Sequence, residues 1–558
     1  MPRPVDNSRQ RGATYHGMND LHSAYDVIIV GAGASGCALA ARLSEDPRRS
    51  VLLVEAGPRF VGVEAYPPEL RYGAIFAASA PGHPNNWSFI ATLRPGVHQP
   101  LSRGRVVGGS SALNGTIFTR GVAQDFDSWA SAGNDVWSYK AVLPFFRKLE
   151  SDDMAGPNHG NNGPMPVRRI RRADWSPVSK AFVDACEKNG FPLDADMNAP
   201  GSIGAGSFPL NNIDGVRFNT ALAYLDPIID RENLHILAET TVRKLKVSGR
   251  RATGILAQRG GDAIEIGAGE VILSAGAIKS PHLLMTSGIG PADELRAFGI
   301  PVVHDSSHVG KNFTDHCTVH VPLQVRGNPR MTVDPTKKAM SEAGLHYTAS
   351  GSHEHSDMML MQCVIPLNAA VLQSSTLRQR IRSAALGARQ LSWSKLKDQL
   401  LTQWDLSIAV ILMQGNSRGQ VRLASDDPLD SPELHYNYLD DPEDLRRLRD
   451  GVRLTSKLIA SDPYRDIYAR RTAPRDDVLD SDAKLDEHLR AHVGTSVHMA
   501  STCRMGTSID NSVVDQYCRV HGVANLRVVD TSIMPNVVRR CPHATAVMIG
   551  ERAAEFLS

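Results

Sequence analysis

Gly31, Gly33 and Gly36 stand in the spacing G-x-G-x-x-G, and an acid, Glu55, follows nineteen residues after the last of them. Residues of those types at that spacing suit the holding of an ADP-containing dinucleotide. Gly31 permits a tight turn, Gly33 lets the backbone approach a pyrophosphate, and Gly36 lets a helix pack closely on a strand. Ala34 and Ser35 lie in the turn that leads into that helix, whose free N–H groups and positive dipole end attract phosphate. Glu55, with Ala56 beside it, is placed to accept hydrogen bonds from a ribose diol. A second chemically promising stretch runs Arg103-Gly104-Arg105-Val106-Val107-Gly108-Gly109-Ser110-Ser111-Ala112-Leu113-Asn114-Gly115. Its small residues allow backbone to approach a ligand and its hydroxyls and Asn114 offer hydrogen bonds, although a turn before a helix has the same composition. Histidine suits proton transfer near neutral pH, but there are twenty of them, so residue type alone selects none.

The elements that must position these groups are legible around the glycines. Val27-Ile28-Ile29-Val30 is a β-branched run of the length of one buried strand, Cys37 to Leu43 reads as a helix, and Val51-Leu52-Leu53-Val54 is a second strand ending at Glu55. Which dinucleotide this βαβ unit takes is left open by the motif. Residues 58–100 show no clear periodicity and carry Pro67, Pro68, Pro81, Pro84 and Pro95, which predicts a long irregular connection that lines a site. Asp174 to Gly190 has helical spacing, with Val178, Ala181, Phe182, Ala185 and Cys186 on one face. Leu234 to Leu237 begins a strand expected to continue through Val242 to Leu245, and Glu270 to Gly276 is a buried strand meeting a glycine turn.

Composition narrows the class. At 558 residues the chain exceeds the size at which one core stops growing, so two or more lobes are expected. The net charge of +2 makes no electrostatic case for nucleic acid. Seven cysteines, scattered and without a C-x-x-C pair, argue against a disulfide framework or a structural zinc and for a reducing, cytoplasmic compartment. No apolar run reaches the roughly 18 residues of a membrane span. Residues 1–19 are polar and read as a disordered leader.

The Arg103–Gly115 stretch resembles the first signature of the glucose–methanol–choline (GMC) family of flavin-dependent oxidoreductases. A second signature is matched by Gly276-Ala277-Ile278-Lys279-Ser280-Pro281-His282-Leu283-Leu284-Met285-Thr286-Ser287-Gly288-Ile289-Gly290-Pro291, and further family-like pieces are Val309 to His316 and Thr502 to Glu551. The pieces keep the family's order over nearly the whole chain. The resemblance implies an α/β fold, α+β overall: a Rossmann-like FAD-binding domain, discontinuous over 20–160, 215–320 and 485–558, and a substrate-binding domain over 161–214 and 321–484, built on an antiparallel sheet with flanking helices. It makes the dinucleotide FAD. Besides Gly31, Gly33, Ala34, Ser35, Gly36, Glu55 and Ala56, it assigns FAD contacts to Arg105, Val107, Asn114, Gly115, Thr116, Ile117, Val242, Val497, Asp530, Thr531 and Thr545. Members with covalently bound FAD use a histidine just before that asparagine; Leu113 stands here, so non-covalent FAD is expected.

The family's catalytic segment, usually His-Pro-Val-Gly-Thr-Cys-Arg-Met-Gly, is matched by His498-Met499-Ala500-Ser501-Thr502-Cys503-Arg504-Met505-Gly506, with Met499 and Ser501 as departures. The resemblance makes His498 the base that takes a hydroxyl proton as hydride passes to flavin N5, and His543 the group that hydrogen-bonds the substrate oxygen. It implies oxidation of a small-molecule alcohol, primary and aromatic or heteroaromatic in type, with electrons passed to dioxygen or a quinone-type acceptor. The alternative is a hydroxynitrile-lyase type of acid–base cleavage with a non-redox flavin. Arg539 and Arg540, four and three residues before His543, raise two readings: one of them faces the cavity and favours an anionic or strongly polar substrate, or both form a surface pair. His353-Glu354-His355-Ser356-Asp357 reads as a strand end rather than a metal site, and no metal is expected. Ser417 to Pro428 reads as strand and turn, similar to the family's sheet beneath the substrate cavity. Residues 372–404, rich in arginine and lysine with apolar residues at helical spacing, suggest a basic amphipathic helix, either solvated over the substrate lobe, the commoner outcome, or able to touch a membrane or partner.

Overall fold

The computed structural model describes residues 21–326, 334, 336–337, 339–364 and 406–557. The expected leader and the basic 372–404 segment lie outside the described residues. Two large sheets organise the rest. In the first, β1 (Ala24–Val30) is central and parallel to both β2 (Val51–Val54) and the end of a long strand, in register Val27↔Val51 and Ile28↔Val271. Val27 to Val30 are all buried, which explains a run without polar alternation: a parallel strand covered on both faces has no solvent side. β3 (Leu234–Leu237) extends the sheet beyond β2, while β4 (Thr240–Ser248) and β5 (Arg251–Arg259) form an antiparallel meander onto β6 (Asp262–Leu273). Leu526–Val528 adds a strand parallel to β6. The sheet thus joins three distant parts of the chain.

Between β1 and β2 runs α1 (Ala34–Leu43), and after β6 comes α2 (Gly276–Thr286). A Cβ on Gly36 would lie 2.0 Å from the Gly31 carbonyl oxygen, so only glycine lets α1 sit this close to the turn. The second sheet is antiparallel: Tyr468–Arg471, then β7 (Cys317–Val325), β10 (Leu406–Leu412), β9 (Met358–Cys363), β8 (Ala343–Tyr347) and Gly204–Ser207. Its two faces follow the period of two. Met358 and Val410 turn towards Gly451 of α3 (Pro442–Ile459), whose added Cβ would meet them at 3.0 and 2.5 Å. Thr318, His320, Met359, Met361, Ala409 and Ile411, on the alternate positions, line a cavity. The chain ends in α4 (His543–Glu555), which packs on α1; a Cβ on Gly550 would lie 2.4 Å from the Ser35 carbonyl oxygen.

The helix expected over 174–190 forms as Pro177–Lys188, capped by Ser176 and burying the five residues of the predicted face. Three local expectations need correction. The strand starting at Leu234 does not run on to Leu245: Glu239 takes a left-handed φ of 54°, and the two halves pair with different neighbours, β3 with β2 and β4 with β5. The connection over 58–100 is not irregular throughout, because Phe89–Arg94 and Val97–Leu101 form a hairpin around Gly96, φ 77°. Gln420–Arg422 belongs with that hairpin in a small four-stranded sheet, separate from the antiparallel sheet that carries Met359, Met361, Ala409 and Ile411 to the cavity, although Phe89 of the small sheet and Pro428 also line it. Among the described residues no helix is long and apolar enough to cross a membrane.

Candidate active site

A cavity of about 480 Å³ lies where the two sheets meet, within the size range of small-molecule sites. One group of lining residues is the glycine turn and its neighbours: Gly31, Gly33, Ala34, Ser35, Glu55, Ala56 and Val242. Gly31 holds a φ of 105°, and a Cβ there would strike the Ser274 carbonyl oxygen at 2.5 Å. Gly33 differs: the nearest heavy atom to an added Cβ is 3.9 Å away, so its bare backbone faces open space. Gly33 is also the N-cap of α1, with no side-chain cap and no acid in the first turn. The helix-terminal N–H groups are therefore left to a ligand, and their chemistry matches a pyrophosphate. Glu55 accepts from the backbone N–H of Ala32 at 3.1 Å and of Gly57 at 2.9 Å, while burial pushes its pKa up to about 7. Asp530 accepts from Gly276 N–H at 2.8 Å, the Ser280 hydroxyl at 2.6 Å and Ser532 N–H at 2.8 Å, locking α2 to the C-terminal strand. These features form a cradle that fits FAD, with Asn114, Gly115, Ile117, Val497, Asp530 and Thr531 also at the cavity wall.

Five residues expected there do not line the cavity. Gly36 is buried under the turn, Arg105 places its guanidinium 5.5 Å from the centre of the Trp87 ring, and Val107 donates its N–H to the Pro58 carbonyl at 2.9 Å. Thr545 is wholly buried in α4. Thr116, φ 65°, instead donates its N–H to Asn114 Oδ1 at 3.0 Å. Trp87, from the 58–100 connection expected to line a site, is at the wall, as are Arg103 and His282, which stand in the quoted segments without a role of their own.

His498 and His543 both line the cavity. The loop carrying His498 starts from Gly494–Thr495, paired with Cys317–Thr318 of β7, and bends through left-handed Val497 and Ser501 at φ 63° and 75°. Asp315 holds it: Oδ1 accepts from the N–H of His316 at 2.6 Å and of His498 at 2.7 Å, and Oδ2 from the hydroxyls of Thr495 at 2.7 Å and Tyr436 at 3.1 Å. Arg103 donates to the Val497 carbonyl at 2.7 Å. The two departures from the family segment are absorbed by packing. Met499 is buried with its sulfur 3.5 Å from the Arg103 guanidinium, and Ser501 shares a hydrogen bond with Thr314 at 2.7 Å. The His498 ring lies edge-on to the buried His316, with Nδ1 to Nδ1 at 2.9 Å, and His316 Nε2 is 3.0 Å from the Val538 carbonyl. His316 is a partner that the sequence named only as part of a family-like segment.

His543 opens α4 after Pro542, with Asn114 Nδ2 at 3.1 Å from its Nδ1 and the Phe118 ring edge-to-face at 5.0 Å. Its Nε2 is buried without a protein partner among the described residues. Burial takes the His543 pKa down to about 3, and puts that of His498 well below the usual imidazole value, with the neighbouring His316 and Arg103 side chains acting in the same direction. Both rings are thus neutral at pH 7.

The arginine pair does not reach the cavity. Arg539 is buried against Asp125 at 2.6 Å and also pairs with Glu354, and Arg540 donates to the Ser356 hydroxyl at 2.9 Å and the Ser202 carbonyl at 2.8 Å. The 353–357 stretch is a loop that supplies these anchors, and Asp357 pairs with the buried Arg447 at 2.9 Å. Another cluster, Glu150, Asp152 and His159, is bound into ion pairs: Glu150 with Arg120, and Asp152 with both His159 and Arg169.

Sequence profiles described as GMC oxidoreductase match residues 25–318 and 415–550. An uncharacterised GMC-type oxidoreductase of Rhodococcus erythropolis is 35% identical over 95% of this chain and 98% of its own. Mitochondrial choline dehydrogenase of Mus musculus is 34% identical over 96% of this chain and 89% of its own. The crystal structure of pyridoxine 4-oxidase from Mesorbium loti superposes with a TM-score of 0.84 at 30% identity, covering 95% of this chain and 98% of that one.

Proposed function

The chain belongs to the GMC oxidoreductase family of FAD-dependent alcohol oxidoreductases, and from that premise we propose that it oxidises a primary alcohol, aromatic or heteroaromatic in type, to the aldehyde. The observation that carries this reading is the pair of neutral imidazoles, His498 and His543, lining one cavity with Met359, Met361, Ala409, Ile411 and Ile117. The apolar walls favour a substrate whose body is uncharged and hydrophobic. His498 takes the hydroxyl proton, and His543 donates a hydrogen bond to the same oxygen and fixes its orientation. FAD, when bound, supplies the acceptor for the hydride that leaves the carbon with two electrons as the C=O bond forms. Gly33, Ala34 and Ser35 would hold its pyrophosphate, Glu55 its ribose, and Asn114, Val497 and Asp530 the remainder.

Anaerobic mixing of the holoenzyme with a panel of alcohols tests the reading. Aromatic primary alcohols are expected to bleach the visible flavin band and yield the aldehyde, and His498→Ala to slow bleaching ~100-fold or more, the usual weight of a general base. Release of cyanide from a cyanohydrin without bleaching by any alcohol would make the protein a lyase instead. Admitting air then separates acceptors: rapid recolouring with peroxide means dioxygen, slow recolouring another acceptor.

A further inference from the structure

The two imidazoles at the cavity wall present opposite hydrogen-bonding atoms, and buried neighbours decide which. The Val538 carbonyl can only accept, so His316 Nε2, 3.0 Å away, carries a proton. Burial takes the His316 pKa down to about 4, against the pull of the Val538 and Met413 carbonyls, so the ring is neutral and its Nδ1 is a bare lone pair. That lone pair faces His498 Nδ1 at 2.9 Å. Two bare nitrogens at this distance repel, so His498 Nδ1 must carry its proton, and a neutral imidazole then leaves Nε2 bare. We infer that His316 is a positioning residue that locks His498 in the Nδ1–H tautomer and so makes Nε2 the atom that accepts the substrate proton.

An independent contact gives His543 the opposite polarity. Thr116 N–H donates to Asn114 Oδ1 at 3.0 Å, which fixes the amide so that Nδ2 points to His543 Nδ1 at 3.1 Å. His543 Nδ1 therefore accepts, and Nε2, the buried atom without a protein partner among the described residues, is left as an N–H donor. One acceptor and one donor match an alcohol: its proton goes to His498, and its oxygen lone pair accepts from His543. The inference rests on the reading of His498 as base, and its tests separate the two.

Histidine-selective ¹⁵N spectra of the holoenzyme report the tautomer directly, with the His498 signals assigned by their loss in His498→Gln. Nδ1 of His498 is expected to carry the proton in the wild type and in His316→Asn, whose Oδ1 keeps an acceptor near the same place. His316→Leu removes the acceptor, and the rate of flavin reduction is expected to fall ~100-fold or more, within the weight of general-base catalysis, at an alcohol Kd changed less than about threefold. His316→Asn is expected to stay within about tenfold of the wild type, because the hydrogen bond survives. A bare Nδ1 on His498 in the wild type, or wild-type reduction by His316→Leu, would overturn the lock. If His316→Leu loses its flavin band or its folded melting transition, the wild-type spectrum and the His316→Asn rate decide alone. Full-speed reduction by His498→Gln would remove the base reading whatever the tautomer.

Discussion

His498 is neutral for a physical reason that reaches into kinetics. Its pKa lies well below 6.5 through burial, with His316 and Arg103 adding to the effect. A lowered pKa means that the proton leaves at lower pH, so His498, in the role of base proposed for it, is already free at neutrality. The acid limb of kcat/KM, measured from pH 5 to 9, is therefore expected well below pH 6.5, and a limb centred at or above 6.5 would contradict the burial argument. For His543 the decisive partner is Asn114. In Asn114→Asp the carboxylate accepts where the amide donated, which moves the His543 proton to Nδ1 and strips the donor from Nε2. Loss of one such donor costs ~10²–10³ in kcat, and that fall is expected in steady-state assays while Thr116 N–H keeps its acceptor. At this scale the sequence was legible only in part. His498 and His543 stand out from twenty histidines through the segments around them, but the partnership of His316 with His498 spans 182 residues and exists only once β7 and the 494–498 strand-loop pair.

Within the glycine turn, Gly36 and Gly33 serve different elements and should fail differently. A Cβ on Gly36 would lie 2.0 Å from the Gly31 oxygen and force α1 off β1, so Gly36→Ala is expected to cost ~1–3 kcal/mol or more, seen as a lower Tm even without flavin. A Cβ on Gly33 has 3.9 Å of clearance and the backbone there is extended, so Gly33→Ala should fold normally. Its methyl group occupies the face offered to the pyrophosphate, and FAD titration is expected to show at least about tenfold weaker binding, equivalent to ~1.4 kcal/mol. Equal Tm losses in both would mean that Gly33 is also a packing glycine. Periodicity read β1, α1, β2, the 177–188 helix and the end of β6 correctly because each buries a continuous face. It failed at Glu239, where one left-handed residue redirects an unbroken β-rich run, and at 89–101, where prolines masked a hairpin.

At the scale of the whole molecule, the cavity exists because the 24–54, 234–290 and 494–543 segments converge on the face of a sheet built from the middle of the chain. Leu113, buried beside the asparagine, has no atom able to bond flavin carbon. Acid precipitation of the yellow protein is expected to leave all flavin in the supernatant, and flavin retained in the pellet would refute non-covalent binding. By itself the sequence determined the βαβ unit, whose glycine spacing is set by backbone geometry, and the family, whose segments lie in order along the chain; the same segments pointed to the two imidazoles at the cavity wall. Only the tertiary structure decided that Arg539 and Arg540 face Asp125, Glu354 and Ser356 rather than substrate. It alone decided which atom each cavity histidine presents. A side chain's hydrogen-bond polarity depends on what lies across from it, and at His498 that neighbour comes from a distant part of the chain.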